Sequence, residues 1–206
     1  MIRPRAGVAF SLAAQGDQRH DLAARAGFAS QLGVPFDWAV VHQVHGQRVV
    51  EVDEAGEFGE ADALFTRRPG LPIAVFTADC AAVVLGASSA VGVAHAGWRG
   101  AAAGVVPILA KAMEQAGAVP RWAAIGPAIG PCCFEVGPEV AVQFPENVAS
   151  TSWGTTSVDL PGVVAGQLGD LELWQARVCT FDNIGCFSHR RNSALERMAA
   201  VAWLPK

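Results

Sequence analysis

The sequence is poor in several residue types that many functional sites need. Its 206 residues include no tyrosine and only five histidines, and only 17% of them are charged. A formal net charge of -4 argues against a nucleic-acid or membrane-surface partner, because either usually requires a basic patch. No uninterrupted apolar run approaches the ~20 residues that span a bilayer. We therefore expect a soluble protein that acts on small molecules.

Cysteine usage indicates a reducing compartment. The five cysteines are an odd number without disulfide-scaffold spacing. The N-terminus "MIRPRAGVAFSLAAQG" resembles a secretory signal, but Ser11 interrupts its short apolar run. We expect a cytoplasmic protein, and a monomer.

The order of elements predicts the fold class. No repeat, linker or low-complexity tract divides the chain, so residues 1–206 are expected to form one domain. Strands are predicted within 38–52, 71–86 and 90–97, and a helix within 101–117 that Pro107 bends. Helix 160–171 and strands "LELWQARV" and "RMAAVAWL" follow. Because strands and helices mix without strict alternation, we predict an α/β (α+β-like) domain with flanking helices on a mixed β-sheet.

Two histidines lie in "VHQVHG". On a strand, the odd separation of His42 and His45 places them on opposite faces. His42 shares its face with Val40 and Val44, which favours a core or interface position. His45 precedes Gly46, where the strand could open toward a ligand, so His45 is the better functional candidate.

The segment "TADC" interrupts a buried apolar run. Burying Asp79 without a partner would be costly, so its carboxylate should orient a backbone amide, a histidine ring or an arginine. Cys80 alone would usually be a small buried hydrophobe. The neighbouring aspartate favours a functional thiol instead.

The segment "AVGVAHAGWRG" places His95 at a strand end and Arg99 in the first turn of a helix. Ligands gather at such strand ends, and amides at a helix start attract anions. The alternative is that His95 caps the turn and Arg99 is a solvated surface charge.

Together, His45, Cys80 and His95 offer two imidazoles and a thiolate at three consecutive strand ends. Zinc with three protein ligands and an open fourth position is typical of a catalytic site. Cys132 and Cys133 could be offered as further ligands, but neighbouring cysteines on a "GPCC" turn are not expected to reach one metal easily. A blue-copper site uses a similar donor set, but a multicopper oxidase needs more histidines than the chain has. The zinc nucleobase-deaminase signature is absent.

The motifs resemble those of the bacterial laccase-domain proteins, a family also called multicopper polyphenol oxidase-like, peptidoglycan editing factor or purine nucleoside phosphorylase. The resemblance covers roughly residues 38–203 and rests on "HQVHGQRV", "ADALFT", "TADCAAVVL", "AHAGWRG", "IGPAIGPCCFEVG", "CT" and "FSHRRNSALER". It implies an α/β domain with one catalytic Zn²⁺ held by His45, Cys80 and His95. It also implies phosphorolysis of adenosine, inosine and methylthioadenosine, and deamination of adenosine. Alternatives are a hydrolase that edits peptidoglycan precursors, a non-catalytic metal-binding module and, less favoured, a copper polyphenol oxidase.

Substrate residues follow less directly. Phosphorolysis needs an anion site, for which we expect Arg99 first. The next candidates are the other arginines of the motifs, which are Arg48, Arg190 and Arg191. Gln43 is also expected to bind substrate. Asp79 is expected to orient a zinc-bound histidine or to move protons. Asp62 and Glu135 are weaker candidates that are at least as well explained by structural roles.

The chain departs from the family pattern in two places. An "NR" pair of the N-terminal region is replaced by Ala24 and Arg25, and the usual "SYRR" is "SHRR". If those family residues contact substrate, these changes alter nucleoside preference and leave the metal ligands intact.

Overall fold

The computed structural model describes residues 1–205 as fourteen strands and six helices. The strands are β1 Ile2–Arg5, β2 Val8–Phe10, β3 Ala39–His42, β4 Val49–Glu51, β5 Gly56–Glu60, β6 Ala63–Thr66, β7 Ile73–Thr77, β8 Ala81–Gly86, β9 Val91–Ala96, β10 Trp122–Ile125, β11 Val148–Ser150, β12 Thr156–Val158, β13 Glu172–Gln175 and β14 Met198–Ala202. The helices are α1 Leu22–Leu32, α2 Trp98–Ala102, α3 Val105–Gln115, α4 Pro138–Ala141, α5 Leu160–Gln167 and α6 His189–Asn192.

Two six-stranded sheets form the centre of the fold. The first has the order β1-β2-β14-β7-β3-β5, the second β13-β10-β8-β9-β6-β4, and β11 and β12 form a separate hairpin. Each large sheet contains parallel and antiparallel pairs. The predicted mixed α/β class is confirmed, with the strands divided between two mixed sheets.

Side-chain alternation along the strands produces the layers. Val75 of β7 and Val84 of β8 point into a core between the sheets, whereas Phe76 and Val83 point outward. Helix α1 covers the outer face of the first sheet, and α3 and α5 cover that of the second. A sheet buried on both faces needs a continuous apolar sequence, which explains the runs around "TADC" and "AVGVA".

The segment 38–52 is not one strand, contrary to the sequence prediction. Strand β3 ends at His42 in the first sheet, and β4 starts at Val49 in the second, so the intervening residues must carry the chain from one sheet to the other. His45 adopts a left-handed φ of 61° in this crossing, so the opposite-face reasoning for the two histidines does not apply.

The predicted bend at Pro107 is also wrong. The helical region breaks at Gly104, whose φ is 78°, and Pro107 lies in the first turn of α3, where its missing N–H has no helical partner to lose. Within residues 1–205, we find no helix with the length and apolar character needed to cross a membrane.

Candidate metal centre

The three predicted ligands meet where the chain passes between the two sheets. His45 lies in the crossing after β3, Cys80 in the turn from β7 to β8, and His95 near the end of β9. Their donor atoms all lie within 4.8 Å of one another, and Nε2 of His45 is 3.9 Å from Sγ of Cys80. The β8–β9 register, which pairs Ala81 with Ala96, holds Cys80 beside the end of β9.

Asp62 organises two of these ligands. Its fully buried carboxylate accepts a hydrogen bond from Nδ1 of His95 (2.7 Å). It also accepts from the backbone amides of Val44 (3.2 Å), His45 (2.9 Å) and Gly46 (2.6 Å). The first contact leaves Nε2 of His95 for a metal, and the other three hold the left-handed backbone at His45. Burial raises the pKa of the Asp62 carboxyl, but His95 and these amides outweigh it and lower the pKa.

The pKa values of Cys80 and His95 depend on each other and on their neighbours. Burial raises the pKa of the Cys80 thiol, but the two histidines outweigh burial and bring that pKa to about 6. Burial lowers the pKa of His95, but Cys80 and Asp62 raise it to about 9. Two imidazoles, a thiol that ionises readily and a carboxylate behind one imidazole form a donor set that suits zinc.

Asp79 does not orient a histidine, contrary to one of its predicted roles. It adopts a φ of 90°, and its carboxylate accepts hydrogen bonds from the Thr180 hydroxyl (2.6 Å) and the Arg190 amide (2.7 Å). Of the partners expected from the sequence, Asp79 therefore uses a backbone amide. The carboxylate that supports a metal ligand is Asp62, which the sequence reasoning ranked lower.

A cavity of about 270 Å³ opens onto the three candidate metal ligands. The residues that line it are Arg19, Gln43, His45, Phe76, Thr77, Ala78, Cys80, His95, His189 and Arg197. Gln43 was predicted, and its amide also exchanges two hydrogen bonds of 2.8 Å with the backbone of Phe76. The cavity therefore combines metal donors with cationic side chains.

Sequence reasoning missed Arg19 and Arg197. Asp17 holds the backbone at both arginines, because its carboxylate accepts hydrogen bonds from the amides of Arg19 (3.0 Å) and Arg197 (3.1 Å). Arg25 adds hydrogen bonds to the carbonyls of Gln18 (2.9 Å) and Arg19 (3.1 Å). The family pattern held part of the signal, since His189 occupies the tyrosine position of "SYRR" and Arg25, the arginine of the "NR" pair, fixes the loop that carries Arg19.

The predicted arginines lie elsewhere. The guanidinium of Arg99 is exposed and stacks 4.2 Å from the Trp98 ring. Arg48 donates to the Glu60 carbonyl (3.0 Å) and Arg190 to the Glu135 carbonyl (2.6 Å). None of these arginines lines the cavity.

Three further candidates have local roles. Arg191 donates to the carbonyls of residues 180, 181, 183 and 186, which fixes that loop. Glu135 accepts from the Trp153 indole (2.8 Å). His42 is exposed, so a core position is wrong, whereas the alternative of an interface position stays a prediction.

Gly97 packs directly against the metal ligands. A Cβ built there would lie 2.9 Å from Cδ2 of His45 and 3.0 Å from Sγ of Cys80. We expect Gly97→Ala to weaken zinc affinity about tenfold, because ligand positions must hold within about 0.5 Å. Competition with a chromophoric chelator measures this. Gly27→Ala in α1 is the matched control, since no atom lies within 4 Å of its Cβ. Equal zinc affinities in the two variants would contradict the prediction.

The comparisons with known proteins agree with these motifs. Residues 4–205 match the family model described as "Multi-copper polyphenol oxidoreductase laccase". A Streptomyces griseus protein named purine nucleoside phosphorylase ORF3 is 40% identical over 179 residues, which cover 80% of this chain and 73% of that protein. A purine nucleoside phosphorylase of Streptomyces coelicolor is 39% identical, over 85% of this chain and 79% of that protein.

Solved structures share the fold. YlmD from Geobacillus stearothermophilus superposes with a TM-score of 0.83 at 29% identity, over 93% of this chain and 83% of that one. The Bacillus licheniformis protein YfiH gives a TM-score of 0.81 at 27% identity, over 91% and 82% of the two chains. The chain therefore belongs to the multi-copper polyphenol oxidoreductase laccase family, and it has relatives that are named purine nucleoside phosphorylases.

Proposed function

We propose that this protein is a zinc-dependent purine nucleoside phosphorylase that acts on adenosine, inosine and methylthioadenosine and also deaminates adenosine. One observation carries the proposal: His45, Cys80 and His95 share a cavity with Arg19 and Arg197. The names of the relatives support the nucleoside substrate class.

The side chains of the cavity match the needs of phosphorolysis. In this reaction a phosphate oxygen bonds to C1′ of the ribose as the glycosidic bond breaks, and the base leaves with the bonding electrons. Arg19 and Arg197 would hold the phosphate, because guanidinium groups bind its oxygens in pairs. Nη1 of Arg197 also donates to the carbonyls of Ala194 (2.8 Å) and Glu196 (2.9 Å), so Nε and Nη2 would be its phosphate donors. His189 lies within the cavity as a group that can hold a proton. When bound, zinc supplies a Lewis acid at His45, Cys80 and His95.

Polyphenol oxidation receives less support from the donor atoms. Within residues 1–205, the two groups able to hold a metal contain two histidines in total. A multicopper centre requires many more imidazoles than these groups offer. We therefore favour nucleoside chemistry despite the family's description.

The test uses protein of defined zinc content with adenosine, inosine or methylthioadenosine, with and without phosphate. We expect phosphate-dependent release of free base and ribose 1-phosphate from each substrate. Inosine should form from adenosine without phosphate. Absence of purine turnover, together with cleavage of a serine-bearing cell-wall precursor, would replace this proposal with the editing hydrolase.

The phosphate position can be tested by substitution. We expect Arg19→Ala and Arg197→Ala each to raise KM for phosphate by about 10- to 100-fold, because a charge-assisted hydrogen bond contributes about 1.5–3 kcal/mol. Initial rates at varied phosphate measure this effect.

Arg99→Ala is the matched control, because its exposed guanidinium stacks on Trp98 outside the cavity. We expect its KM for phosphate to stay unchanged. A large rise in KM for phosphate in Arg99→Ala alone would instead place the phosphate site at the start of α2.

A further inference from the structure

A second group of donor atoms lies outside the proposed active site. Cys132, Cys133 and Cys179 have sulfur atoms within 4.8 Å of one another. The Cys132 and Cys133 sulfurs are 3.2 Å apart. The sequence prediction that these neighbours could not easily approach one metal is wrong, because the tight turn at 131–133 places both side chains together.

Tertiary structure brings the third cysteine to this turn. The bridge between Ala128 and Cys179 aligns two segments that are distant in the sequence. Cys132 and Cys179 line a cleft of about 490 Å³, and Cys133 is buried behind them. A small ion in this cleft can reach the cluster.

The environment of the sulfurs favours a bound cation. The Gly130 amide donates to Sγ of Cys179 (3.3 Å). Three thiolates this close repel one another unless a positive charge lies between them.

The donor set defines the class of ion. Within residues 1–205, no histidine or carboxylate joins this sulfur cluster. Thiolates select Cu(I) and Zn²⁺ over hard cations, and three sulfurs leave zinc an open position toward the cleft. We propose that Cys132, Cys133 and Cys179 form a second metal site, which binds a thiophilic cation of the class of Zn²⁺ and Cu(I).

The test removes the first site and then titrates the metal alone. In a Cys80→Ala background, we expect one equivalent of Zn²⁺ or Cu(I) to bind under anaerobic conditions, and Cd²⁺ to give a thiolate-to-cadmium absorption band. Adding Cys132→Ala or Cys179→Ala should weaken binding at least 100-fold. Adding Cys186→Ala should leave it unchanged, because Cys186 is a buried cysteine outside the cluster.

A second measurement keeps the proposal testable if a cluster variant fails to fold. In Cys80→Ala with the cluster intact, bound metal should protect Cys132 and Cys179 from alkylation, as read by mass spectrometry. If neither metal binds to Cys80→Ala, or if folded Cys132→Ala and Cys179→Ala variants bind as tightly as their parent, the second site does not exist.

Discussion

Replacing Cys80 by alanine should abolish zinc binding at His45 and His95 and lower the rate of purine phosphorolysis by at least about 10³-fold, since a metal ion contributes several kcal/mol to catalysis. The remaining imidazoles supply only two donors, and one of them is on a loop. The fold should survive, because the half-buried thiol contributes little to the core. The loss of one equivalent of bound zinc, product formation and the unfolding midpoint of the metal-free protein measure the three effects.

Cys186→Ala is the matched control for this substitution. It removes a fully buried thiol that does not line the cavity, so activity and zinc content at His45 and His95 should be retained. Turnover that persists in Cys80→Ala, or after zinc is removed from the unmodified protein, would contradict the zinc-dependent mechanism.

Asp62→Ala should lower both the zinc affinity and the free energy of unfolding. Zinc affinity should fall about 10- to 100-fold, because the partner of a metal-bound histidine sets its orientation and basicity. The free energy of unfolding should fall by about 3 kcal/mol, since three backbone amides lose their acceptor in a buried site. Chelator competition and urea unfolding measure the two losses separately.

Two variants sharpen this test. Asp62→Asn places an NH₂ group against amide donors or against Nδ1 of His95, so it should restore little of either property. Asp21→Ala removes the N-cap of α1, where the carboxylate also accepts from two amides. It should cost about 1 kcal/mol of stability with no change in zinc affinity. An Asp62→Ala protein that binds zinc normally would exclude the positioning role.

The structure brings the three predicted metal ligands together, although the local conformation expected for them from the sequence does not hold throughout. The sequence pattern predicts that His45 lies on the ligand-facing side of a strand. In the structure, His45 lies in the crossing between the two sheets and has a left-handed backbone. The prediction that His45 can donate to a metal does not depend on this error, because the imidazole is the same donor in either backbone conformation. The predicted helix within 101–117 is divided in the structure. The break between α2 and α3 lies at Gly104, whose φ is positive, rather than at Pro107.

The two arginines of the cavity could not be predicted from local pattern. Arg99 was favoured because it follows His95 on a short helix, but a neighbour in sequence need not face the same cavity, and this guanidinium instead stacks on Trp98. Arg19 and Arg197 lie near opposite ends of the chain. Their common partner, Asp17, is 180 residues from Arg197.

The sequence by itself therefore determined the mixed α/β class and the family, and it predicted the candidate metal ligands, because these depend on short motifs and on the period of apolar residues. Tertiary structure decided which carboxylate supports His95, which arginines enter the cavity and which cysteines cluster. The contacts that settle these points join residues 33, 180 and 49 positions apart. Such pairings arise from how two sheets pack and where the chain crosses between them, and no local sequence pattern encodes that geometry.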